Sequence, residues 1–253
     1  MRAETYQSDE SANARPATRT LMVCGMVAGP LYVATTLAQA LTRTGFDMKQ
    51  HRFSLLTVGE FGWIHQLNMV MVGTLTVLLA IGASRVLRAG GTFGAGRTLH
   101  AGRGLHAGRS AVWAPRLLAL VGAAYLFGGL LTSDPAIGFP PGTNAELLQR
   151  SWQGVAQNAS RGVSSLLLVA TSMAIAIWFA AAGRKGWAWF YAAAIPVVFA
   201  TLTAVGLLIG GNPVALAFLM TPWIWVTALA THLYMRDAHH SNANAVGTPK
   251  KRS

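Results

Sequence analysis

Apolar residues run along the chain in long blocks separated by short polar joints. The blocks lie at roughly 20–41, 63–87, 116–133, 161–182, 187–210 and 213–235. Each is close to the ~20 mostly apolar residues that a helix needs to cross a bilayer. None alternates with the period of two expected of a barrel strand. A helix also satisfies its own backbone hydrogen bonds in lipid, which an open sheet cannot do. The pattern predicts an all-α fold: a polytopic membrane bundle of six transmembrane helices.

The polar ends frame that bundle. Residues 1–19 are polar, with Ser, Asn, Arg and a few acids, and 236–253 repeat that character; both are expected to be disordered tails, the second ending in "PKKRS". Between them, 20–235 forms the transmembrane domain, which contains a basic, Gly-rich loop at 88–115.

Composition supports a bilayer protein. Hydrophobic residues make up 53% of the 253 and charged residues only 11%, against about 25% charged in an ordinary soluble domain. The net charge of +12 would suit nucleic acid if it were spread evenly, but it is not. With six spans the loops alternate sides, and 15 of the 20 Lys and Arg fall on the side of both termini. These include Arg2, Arg15, Arg19, Arg184 and Lys185, with Arg85, Arg88, Arg97, Arg103, Arg109 and Arg116 around the second loop. Only Arg43, Lys49, Arg52, Arg150 and Arg161 lie opposite. An excess of basic residues marks the cytoplasmic face. The expected arrangement is therefore a multi-pass protein of a bacterial cell (plasma) membrane with N and C termini cytoplasmic and no nucleic-acid partner. The stretch "LAQALT" offers a competing signal-peptide reading with cleavage after Ala40. The apolar run Leu21 to Leu37 is long for that role, so an uncleaved first helix is preferred. Cys24 is alone, which leaves neither a disulfide nor a thiolate pair for a metal.

Other features modify the picture locally. "AGRTLHAGRGLHAGRS" repeats Arg97, Arg103 and Arg109 every six residues, with His100 and His106 in the same period. A flexible loop that fixes topology is the preferred reading. Attraction to anionic lipid headgroups, at about 1 kcal/mol per basic residue, and metal capture by the two histidines are the alternatives. Gly25 and Gly29, the pair Gly128 and Gly129, and Ala200 and Ala204 allow close helix approach. They serve either a homo-oligomer contact or, as preferred, packing within one bundle. Trp63, Trp178, Trp187, Trp189, Trp223 and Trp225 sit near predicted helix ends, as an interfacial belt would place them.

Candidate chemistry gathers on the side away from the termini. Asp47, His51, Glu60, His65 and Asn68 lie in or just after the first outer joint; Asp134, Glu146, Arg150, Gln153, Gln157 and Arg161 belong to the second. If 150–164 is helical, Gln153, Gln157, Ser160 and Ser164 share one face, with Arg161 beside it. A polar stripe entering a membrane helix faces the bundle interior or water, so an outward-facing vestibule is expected. Asp134 precedes Pro135, which disfavours helix at Asp134, so the pair reads first as a helix stop. An acid there meets the negative end of the helix dipole, and Arg150 or Arg161 is the expected ion-pair partner. Walker, HExxH, G-x-S-x-G and CxxC motifs are missing. No cofactor, metal or nucleotide site is expected.

Three stretches, "HRFSLLTVGEFGWIHQLN", "DPAIGFPPGT" and "SWQGVAQNASRGVSSLLL", resemble in order and spacing the bacterial six-helix membrane proteins catalogued as domain of unknown function 998. The likeness runs from about Gly29 to Tyr234. It implies an integral membrane protein and no particular reaction. Glu60 stands at the acid of the family's G-[DE]-x-G-W, and Asp134-Pro135 at its D-P. Where the family often shows W-H-G-x-x-H, this chain has Gln153 and Gln157. Glutamine keeps hydrogen bonding without proton shuttling or ordinary metal ligation.

The preferred functional expectation is a protein that binds a small amphiphile or lipid at Gln153, Gln157, Arg161, Glu60 and Asp134, or an accessory membrane component. The first alternative is a membrane-embedded enzyme acting on an isoprenoid or lipid, with Asp134 or Glu60 as a carboxyl general acid. A small transporter ranks last, since the membrane-centre segments hold no ionisable residue.

Overall fold

The computed structural model describes residues 2–92, 101–143, 150–208 and 213–246. Six helices carry nearly all of them: α1 Arg2–Thr42, α2 Gly62–Thr92, α3 Ala101–Gly129, α4 Trp152–Ala181, α5 Lys185–Leu208 and α6 Pro213–Val246. A single short 3-10 helix, Phe53–Thr57, interrupts the α1–α2 connection. Every long helix contains a segment long and apolar enough to cross a membrane. The all-α, six-helix, multi-pass reading of the sequence is met.

The ends of the helices differ from the expectation in three places. α1 starts at Arg2 rather than near 20, α6 runs past 235 to Val246, and α3 begins at Ala101, inside the expected 88–115 loop. Ala and Arg, frequent in the first of these extensions, are good helix formers once a neighbouring turn nucleates them. Arg97, His100, Glu146, Lys250, Lys251 and Arg252 lie outside the described residues.

Each helix packs on its neighbours in sequence, and α6 returns to α1, so the six close into a ring. Glycine sets several of the crossings. A Cβ on Gly73 of α2 would stand 2.7 Å from the Gly122 carbonyl oxygen of α3, and a Cβ on Gly122 equally close to the Gly73 oxygen. Gly25 faces Leu79 of α2, and Gly29 faces the Trp223 backbone of α6. The small residues of the first span thus pack within one chain, as preferred. The tryptophans divide. Trp63 and Trp189 are exposed, but Trp178, Trp223 and Trp225 are buried in the core rather than placed in a belt. Core burial wins there because these rings face helix neighbours instead of the bundle exterior. α5 is the least covered helix, with 6% of its apolar window buried.

Candidate functional site

The end of the bundle away from the termini is closed by a roof built from the α1–α2 and α3–α4 connections. Phe53, Leu55 and Leu56 of the 3-10 helix are buried beneath it. Arg43, just past α1, donates to the carbonyls of Leu56 (2.9 Å) and Val58 (2.8 Å) and lies over the Phe139 ring. Partial burial holds its guanidinium below the usual value. His51 joins the two connections. Its Nδ1 accepts from the Asp47 amide at 2.8 Å, so its Nε2 carries the proton donated to the Ile137 carbonyl at 2.9 Å. Ile137 and Gly138 both have positive φ, of 55° and 72°, between the reciprocal amide bonds of Ala136 and Phe139. Glycine makes the second position easy; Ile137 is held there by the turn and by His51.

Asp134 serves this architecture. Both of its carboxylate oxygens accept from the Ser151 amide at 3.2 Å, and one also accepts from the Ser151 hydroxyl. Ser151 is in turn the N-cap of α4, accepting from the Gly154 amide at 3.0 Å. Asp134 therefore sits at the positive end of the α4 dipole, a favourable place for an anion. A Cβ on Gly154 would collide with this carboxylate. The expected ion pair with Arg150 or Arg161 is absent among the described residues, where the one salt bridge joins Arg19 to Asp237 at 3.3 Å. The dipole that stabilises Asp134 belongs to the next helix, not to the one it follows.

Beneath the roof, α4 turns Gln157, Ser160 and Ser164 inward, all buried, while Gln153 at its mouth is exposed. The shared face expected from their spacing thus holds from Gln157 onward. Gln157 is fully buried, and its amide nitrogen donates to the Leu131 carbonyl at 3.2 Å and to the Thr57 hydroxyl at 3.3 Å. Its carbonyl oxygen has no protein partner. Arg161, one turn deeper, has a buried Nη1 with no protein partner. Other helices add His65, with neither ring nitrogen partnered, the Asn68 carbonyl oxygen and the Trp223 ring nitrogen. Tyr32 joins them: its ring centroid lies 5.8 Å from His65, 5.9 Å from Tyr125 and 4.7 Å from Trp223.

Unpartnered buried polar groups cost roughly 1–3 kcal/mol each, so a cluster of them in a folded core calls for a physical account. A cavity of about 610 Å³ adjoins the cluster, bounded by Arg52, Phe53, Tyr125, Asn158, Arg161 and Phe218. Its size lies within the usual range for a small-molecule site. Glu60 is exposed and belongs elsewhere, in a smaller recess of about 450 Å³ with Gln39, Arg43 and Pro140. Of the five residues expected at the site, the fold brings Gln157 and Arg161 together. It leaves Gln153 at the rim, commits Asp134 to the α4 cap and places Glu60 in another recess. Among the described residues, no three of His, Cys, Asp and Glu converge as metal ligands would. His65, Asn68, Tyr32, Tyr125 and Trp223 were not expected in one cluster. Their contribution comes from four different helices, which no spacing within one helix can show.

Residues 26–106 match the model of a family described as "Protein of unknown function (DUF998)", the family that the sequence resembles. The match takes in the roof from Arg43 to Glu60 and the α1 and α2 members of the cluster; Gln157 and Arg161 lie beyond it. No curated protein and no solved structure matches the chain.

Proposed function

We propose that this membrane protein binds a small amphiphile in the chamber between α3, α4 and α6, with the roof facing the outside of a bacterial plasma membrane and both termini in the cytoplasm. One observation carries the reading. Arg161, Gln157, His65, Asn68 and Trp223 bury polar atoms without protein partners, in a core that also borders a cavity of about 610 Å³. Of these, Arg161 lines the cavity itself, where Phe53, Leu166 and Phe218 supply apolar wall, which suits a ligand with both kinds of surface. The basic Arg distribution supports the orientation, and membrane lipids, including anionic headgroups at the 88–115 loop, belong to the same proposal as partners.

The rival reading as an acid-catalysing enzyme finds less support. Asp134 is engaged with Ser151, and Glu60 is exposed in a separate recess. Neither borders the chamber.

The test is native mass spectrometry of the full-length protein, purified from its membrane in a mild neutral detergent. A bound amphiphile is expected in the wild type and is lost or reduced at least about tenfold in Gln157→Leu. A wild type that retains no amphiphile, with Gln157→Leu equally folded, rejects the reading.

A further inference from the structure

Resting on the amphiphile-binding reading, we infer that the ligand carries an anionic head on an alkyl chain and enters sideways from the bilayer between α4 and α6, with its head on Arg161. Two independent features lead there, one of charge and one of shape.

The charge belongs to Arg161. It lies nine residues into α4, about 14 Å along the helix at 1.5 Å per residue. An arginine that snorkelled to the interface would expose its head; Nη1 here is buried and has no protein partner. Leaving one arm of a guanidinium without an acceptor at membrane depth is costly, and such residues are normally met by an opposite charge or a ring of acceptors. Among the described residues no carboxylate lines the cavity, whereas a second guanidinium, Arg52, does. Asp134 and Glu60 are placed elsewhere. Two arginines and no acid favour an anion, and both carboxylate and phosphate heads fit that chemistry.

The shape concerns the wall. α4 packs on α3 and α5, and α6 packs on α5 and α1, while α4 and α6 meet through side chains toward the termini, Trp225 on Ser172 and His232 on Phe179, and not along their backbones. The cavity lies in that interval. Gly162, Ser165 and Leu166 line it from α4, and Ala215 and Phe218 from α6. Gly162 presents no side chain, and a Cβ there would meet nothing within 4 Å. Leu166 is 73% exposed and Phe218 47%, so the mouth of the interval is apolar and faces the surroundings of the bundle. Toward the roof the cavity meets the exposed Arg52 and Asn158, while Phe53 and Leu56 are buried and His51 ties the two connections together. A lipid entering through this apolar mouth can keep its chain at Leu166 and Phe218 while its head reaches Arg161.

The experiment uses the full-length protein in nanodiscs of neutral lipid, with four probes: palmitate, lysophosphatidate, hexadecanol and inorganic phosphate. Palmitate, lysophosphatidate or both are expected to bind at least about tenfold tighter than hexadecanol. Arg161→Gln should bring that ratio to near one while keeping hexadecanol binding, which also shows that the variant is folded; Arg161→Lys should keep most of the preference. The pair Leu166→Trp and Phe218→Trp should slow uptake from the bilayer at least about tenfold. Equal binding of palmitate, lysophosphatidate and hexadecanol, unchanged by Arg161→Gln, overturns the anionic head and leaves the chamber reading standing. Inorganic phosphate competing as well as the lipid anions overturns the lipid route in favour of a free anion. Binding of none of the four overturns both this inference and the reading it rests on. Should Arg161→Gln not fold, Arg161→Met, which also removes the charge, carries the same comparison.

Discussion

Two buried histidines near opposite ends of the bundle, His232 and His65, are used in opposite ways. Toward the termini, His232 of α6 meets the Tyr191 hydroxyl at 2.8 Å through Nδ1. Its ring stacks near Phe179 and lies 3.9 Å from Trp187, centroid to centroid. Around it, the Trp225 ring nitrogen donates to the Ser172 hydroxyl at 3.0 Å, and that hydroxyl donates on to the Tyr191 carbonyl. Arg236 spreads over Trp178 at 4.7 Å. That network stitches α4, α5 and α6 together through bonds internal to the protein. At the opposite end His65 is just as deeply buried, yet neither nitrogen has a protein partner, and Asn68, Gln157 and Trp223 each leave a polar atom unmatched. The same residue type thus works as a fastener in one place and as part of a binding surface in the other. What separates the two rings is whether a nitrogen of the ring itself finds a partner in the fold.

That contrast can be broken by substitution. The largest effect is expected at the fastener. His232→Ala removes a packed ring and leaves the Tyr191 hydroxyl unpaired, for a loss of about 2–4 kcal/mol in thermal unfolding in detergent. A loss under about 0.5 kcal/mol would place the closed network outside the stability of the fold. Next comes Asp134→Ala, which removes the anion from the start of α4 and the support of its Ser151 cap. A cost near 1 kcal/mol is expected by the same measurement. Restoration by Asp134→Asn to within a few tenths would assign the effect to hydrogen bonding rather than to charge.

The smallest stability effect, and the most telling, is expected for His65→Leu. Leucine occupies similar space without polar atoms, so unfolding should shift by no more than about 1 kcal/mol, in either direction. Amphiphile retention should nevertheless fall. If His65→Leu instead destabilised as strongly as His232→Ala, the two ends would be alike and the contrast would vanish.

Much of the fold was legible because length and hydropathy act locally. Each span is a run of apolar residues, and the backbone within lipid admits one helical answer. Part of the site was legible for a similar reason: Gln157, Ser160, Ser164 and Arg161 share a stripe by helical period alone. The remainder depends on which helices touch. Tyr32, His65, Tyr125 and Trp223 come from α1, α2, α3 and α6, and nothing in the spacing within any one of them announces the others. Asp134 illustrates the same boundary from a different side. Its position after α3 and before Pro135 was plain, but its role is decided by α4, whose first turn folds back to it across a connection. The buried Trp178, Trp223 and Trp225 were expected at the interface because position along a helix was legible and rotation about its axis was not.

The crossing of Gly73 on Gly122 has a mechanical consequence. With each glycine's missing side chain filled by the other's carbonyl, α2 and α3 meet backbone to backbone and act as one stiff beam. Prying them apart would forfeit dispersion contacts that no smaller movement could restore. Whatever room a guest needs is therefore left to the opposite flank, where α5 is the least covered helix.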